Sequence, residues 1–147
     1  MRRWILFMLA MFTLIGCGAQ TPEEQTTTAA AACRDVATAY NDAIQPVAQR
    51  WDDATKLASS TGRGNLPNQI GVLQQIKRDA DAVEVPPCVT FAHSRLINSM
   101  DATINGFLAF MSQKEESAVN AFFTTARTEM SMWGRELAKA TTGEPVK

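Results

Sequence analysis

Residues 33–58 read CRDVATAYNDAIQPVAQRWDDATKLA, and within them Cys33, Val36, Tyr40, Ile44, Val47, Trp51, Ala54 and Ala58 step by three and four. That spacing is one face of an α-helix, because about 3.6 residues complete a turn. A half-buried strand would alternate with period two, and this segment does not. Pro46 falls inside the stripe. Proline has no N–H to close the helical bond to residue 42, and its ring crowds the preceding turn. A long first helix, kinked near residue 45, is therefore expected.

Working outward, SSTGRGN at 59–65 is a loop by composition. A second stripe follows in Leu66, Ile70, Leu73, Ile76, Ala80 and Val83. It starts beside Pro67, tolerated in a first helical turn, and stops at Pro86-Pro87. The third stripe is Val89, His93, Leu96, Met100, Thr103 or Ile104, Phe107 and Phe110. Ser112-Gln113-Lys114-Glu115 has the form of a capping box, in which the serine hydroxyl and glutamate carboxylate would satisfy each other's helix-start amides. The fourth stripe is Val119, Phe122, Ala126, Met130, Trp133, Leu137 and Ala140.

Four amphipathic helices joined by short connections favour antiparallel neighbours. The expected fold is all-α, an up-down-up-down four-helix bundle over residues 29–141, followed by a polar tail at 142–147. Folding the first hairpin about residue 62 sets Trp51 against Leu73 and Ile44 against Ala80. Folding the second about residue 113 sets Met100 against Ala126 and His93 against Trp133. Large side chains then often meet small ones, as close packing requires.

Upstream of the stripes, Arg2-Arg3 precede an apolar run from Trp4 to Ile15, which ends in Gly16-Cys17-Gly18. Twelve residues are too few for a membrane-spanning helix, which needs about 20, but they suit a secretory signal. Leu14-Ile15-Gly16-Cys17 resembles a bacterial lipobox. The resemblance implies removal of residues 1–16, a diacylglyceryl group on the Cys17 sulfur, an N-acyl chain on the new terminus, and a membrane partner through that anchor. Two or three acyl chains hold where one is marginal. Position 18 is glycine and lacks the aspartate of an inner-membrane retention signal. The expected location is therefore the cell envelope: the outer membrane where there is one, otherwise the outer face of the cell membrane. Residues 17–28 then form the lipidated cysteine and a polar tether without apolar periodicity.

Of the 147 residues, 131 remain after cleavage, enough for one domain. The signal holds two arginines and no acid, so the 14 basic residues fall to 12 against 15 acids, a net charge of −3. That balance argues against a nucleic-acid partner. With Cys17 lipidated, Cys33 and Cys88 are left as an even pair, which in an oxidising compartment reads as one disulfide. A bridge over so long a loop is worth roughly 4 kcal/mol on chain-entropy grounds. Both cysteines head helices that run parallel, which places them at one end of the bundle, the end that receives tether and tail.

Chemistry is sparse along this chain. His93 is the only histidine. On its stripe it reads as a partly buried side chain stacked on Trp133; the sharper alternative is a ligand for haem or a metal in the bundle core, with a methionine such as Met130 opposite. No Glu-x-x-His or Cys-x-x-Cys-His motif accompanies it, so no metal ligand set is assigned. Asp52 and Asp53 are adjacent and diverge by about 100° on a helix; Asp79 and Asp81 diverge further. No serine or cysteine has a base beside it, and Gly62-Arg63-Gly64 has no preceding strand to make a phosphate loop. No enzymatic activity and no cofactor beyond the covalent lipid are expected. Alanine-rich helix one, Pro46, Gly71 and Gly106 either allow close helix packing or open a slot lined by Tyr40, Trp51, Phe107 and Phe122. The expectation is an envelope lipoprotein displaying a helical binding or interaction module, with an envelope protein as a possible partner. The alternative is a carrier or sensor holding a small apolar ligand or haem, with His93, Trp133, Tyr40 and Trp51 as the candidate contacts.

Overall fold

A computed structural model describes residues 22–143, with side chains from residue 31 onward. Four helices follow one another: α1 (Pro22–Ser60), α2 (Leu66–Asp81), α3 (Thr90–Met111) and α4 (Glu116–Thr142), with a 3-10 turn at Pro87–Val89 ahead of α3. There is no strand among the described residues. No helix among them is long and apolar enough to cross a membrane. The lipobox and Cys17 lie outside the described residues.

α1 begins at Pro22, seven residues before the expected start of the domain, so residues 22–28 are helical where composition suggested a tether. Helix propagation explains this. Once a packed segment has nucleated, each added residue gains one backbone bond, and the alanine run at 29–32 is the best helix-forming stretch in the chain. Pro46 lies within α1. α2 carries Pro67 in its first turn and Arg78 in its last, and ends before Pro86.

The connection between α3 and α4 differs from the expected capping box. Ser112 closes α3: its N–H donates to the Leu108 carbonyl, Gln113 N–H reaches Phe110 O, and Lys114 N–H reaches Ala109 O. This is a Schellman closure, with Gln113 in the left-handed region at φ 54° where glycine is usual. Glu115 stands at the start of α4 with no side-chain cap. The six-residue reach from Lys114 to Ala109 satisfies buried-end carbonyls of α3 at once, and it uses up the serine that the box would need. α4 ends in the same manner at Gly143, φ 78°, whose N–H meets Lys139 O.

The core joins all four helices. Ile44, Leu66, Leu73, Leu96 and Met100 are almost fully buried. Along α1 the inward residue is Ala37, whereas Val36 is 43% exposed. Phe110 and Phe122, placed on inward stripes by their spacing, are exposed, and Phe123 turns inward instead. α1 packs against α2 and α4, and α3 packs against α2 and α4. Cross-helix contacts mark the seams: Arg50 to Asp79 at 2.9 Å, Lys77 to Asp101 at 3.3 Å, and Arg95 Nη1 to both Glu129 oxygens at 3.1 and 3.0 Å. The first two are too exposed to add much stability. The Cys33–Cys88 disulfide joins α1 to the turn before α3, with Cα atoms 6.0 Å apart. Cys33 therefore sits about three turns inside α1 and not at its head.

Candidate functional site

A groove opens where α1 faces α4. There α1 presents small side chains, Ala48, Thr55, Ala58 and Ser59, and the space they leave is a groove with two lobes. One, of about 460 Å³, runs from Thr55 past Leu66 and is floored by Phe107, Phe110 and Phe123. The other, of about 390 Å³, lies between Trp51, Met130 and Trp133. Both volumes fall in the range of small-molecule pockets. Thr55, Thr103, Ala126 and Arg127 line both lobes and mark their junction.

The polar groups at this junction differ in how they are satisfied. Thr103 donates to Ser99 O at 2.9 Å, and Ser99 in turn donates to Ala126 O at 2.8 Å, both buried. Thr55 Oγ1 is buried and has no partner, and neither has Trp133 Nε1 in the second lobe. Helical hydroxyls normally bond back to the previous turn. Thr38, Ser59, Thr125 and Thr128 all donate to the carbonyl four residues earlier; Thr55 does not. Arg127 forms no ion pair among the described residues, and its guanidinium reaches only the Thr124 hydroxyl, at 3.3 Å.

The four candidate contacts form two neighbouring pairs, with the Trp133 indole beside the Tyr40 phenol. Trp51 and Trp133 line the second lobe. Tyr40 and His93 pair with each other nearer the disulfide: Tyr40 Oη lies 2.9 Å from His93 Nδ1, with the rings edge to face at 5.9 Å. Burial pushes the Tyr40 phenol up to about 12, offset in part by the Trp133 indole N–H, although that N–H makes no well-formed hydrogen bond. Burial also lowers the His93 imidazole below its ordinary value, against a smaller upward pull from Asp81. Both shifts favour neutral forms. The expected His93–Trp133 stacking is thus replaced by a His93–Tyr40 bond, and neither lobe includes His93.

The slot expected from Tyr40, Trp51, Phe107 and Phe122 is redistributed as well. Phe123, one residue on, supplies the ring that Phe122 was expected to give, edge to face with Phe107 at 5.2 Å. Thr55 and Arg127 carried no sequence signal, since a lone helical threonine or arginine reads as solvated surface. No group of three or more His, Cys, Asp or Glu side chains that could hold a metal ion occurs among the described residues. Compared with protein-family models, curated proteins and solved structures, the chain matches none of them.

Proposed function

We propose that this chain is an exported lipoprotein, cut before Cys17 and anchored through lipid on that residue, whose helical bundle is a non-enzymatic binding module for a small, largely apolar ligand. The observation that carries the binding reading is the two-lobed groove between α1 and α4, with the buried, unpartnered Thr55 hydroxyl at its junction. Both lobes are lined largely by apolar side chains, so a ligand that displaces water from them gains by apolar burial.

The bundle is read as up-down-up-down. Along α3 and α4, Arg95 meets Glu129, Ser99 meets Ala126, and Gly106 meets Phe123, so partners descend one helix as they climb the other. α1 is read as bending near Pro46, where the bond to residue 42 is missing. The haem alternative gains nothing from His93, whose Nδ1 faces the Tyr40 hydroxyl and which lies outside both lobes.

Native mass spectrometry of the protein extracted from its own membranes, without reductant, tests the binding reading. Excess mass beyond the lipidated, oxidised chain is expected; a bare chain under conditions that keep other ligand complexes intact would count against it. Cys17→Ser tests the anchor separately. An unprocessed or mislocalised precursor is expected, whereas normal cleavage and membrane attachment in that variant would remove the lipoprotein reading.

A further inference from the structure

The groove is uneven in charge, and that unevenness narrows its ligand. The phenylalanine lobe has one ionised side chain in its lining, Arg127, and no acid. In the second lobe Asp52 joins the lining, its carboxylate already engaged by Lys56. An arginine without a carboxylate partner, at the edge of an apolar lobe, is complementary to an anion carried on an apolar body. Guanidinium and carboxylate match as planar, bidentate partners.

We propose, resting on the binding reading above, that the ligand is a free fatty acid. Its carboxylate sits at the junction, held by the Arg127 guanidinium, and its tail lies in the lobe floored by Phe107, Phe110 and Phe123. The stretch of α1 lining this lobe, Thr55 to Ser59, is about 6 Å long, and Thr61 in the following loop extends the wall, which suits a tail of medium length. No other unpaired charge lines that lobe, so an amphiphile of the opposite sign would leave its head uncompensated and Arg127 repelled.

The test is calorimetric titration of octanoate and, separately, of octanol into the purified intact protein, held in phospholipid nanodiscs if it stays membrane-bound, with empty nanodiscs subtracted. Octanoate is expected to bind more tightly than octanol. Arg127→Gln, an exposed site whose change leaves the core intact, is expected to weaken octanoate about tenfold and leave octanol unchanged. Equal affinity for the two ligands, with no effect of Arg127→Gln, would overturn the fatty-acid assignment while leaving an apolar groove in place. Failure of both ligands to bind the wild-type protein would overturn the assignment and the groove reading together.

Discussion

Helix α4 takes part in two seams that are built on opposite plans. Against α3, its backbone accepts a buried hydroxyl from Ser99, its Phe123 ring lies over Gly106, and its Glu129 holds both oxygens to Arg95. Against α1, it meets mostly alanine, threonine and serine beside the single large Trp51, and the Thr55 hydroxyl and Trp133 indole N–H there have no partners. One seam uses small residues to bring helices together; the other uses them to keep space. A small residue is therefore not a packing instruction in itself. What matters is whether the facing helix sends a large side chain into the gap, as Phe123 does at Gly106, or withholds one.

The contrast can be broken first at the level of side-chain truncation. Leu96→Ala, in a fully buried position, is expected to lower stability by about 3 kcal/mol in urea denaturation. Met130→Ala, beside a lobe that already leaves it without neighbours on one side, is expected to cost about 1 kcal/mol. Equal losses would mean that the open seam is as well packed as the close one.

Hydroxyl deletion sharpens the comparison by sign. Ser99→Ala removes a buried hydrogen bond to the Ala126 carbonyl, which keeps its helical partner, and is expected to cost about 1 kcal/mol. Thr55→Val removes an unsatisfied group and is expected to stabilise the ligand-free protein by about 1 kcal/mol. The two glycines extend this to the backbone. A Cβ on Gly71 meets nothing within 4 Å, so Gly71→Ala should raise stability by about 0.5–1 kcal/mol. A Cβ on Gly106 would come within 2.9 Å of the Phe123 ring. Gly106→Ala should therefore push that ring into the groove and cancel the propensity gain; the thermal midpoint of each variant checks this.

The smallest effect concerns pH. The folded state lowers the His93 pKa, so the unfolded chain binds its proton more readily. His93 then contributes full stability above its unfolded pKa, near 6.5, and loses it as pH falls below that value. The thermal midpoint is expected to decline on acidification through this window in the wild type and to decline less in His93→Asn. An identical decline in both would place the titration elsewhere.

Much of the fold could be read from period alone, because the stripes through Ile44, Leu73, Leu96 and Leu137 are anchored by side chains too large to sit anywhere but inside. Phase errors arose where the neighbours were equivalent. Val36 and Ala37 are both apolar, as are Phe122 and Phe123, and in each pair the choice was made by the facing helix. The α3–α4 turn was misread because Gln113 occupies a left-handed position with no glycine to advertise it. The groove could not be read at all. A cavity is defined by side chains that are not there, and Thr55 and Arg127 gain meaning only from being adjacent in space.

The disulfide has a mechanical consequence. It pins α1 to the chain ahead of α3 at Cys33, while the phenylalanine lobe begins at Thr55, about 33 Å further along the same helix. The seam is thus a clothes-peg, clamped near one tip and free to part at the other. A rod held in this way swings most where it is farthest from its clamp, so the jaw of the peg lies at the end the bridge restrains least.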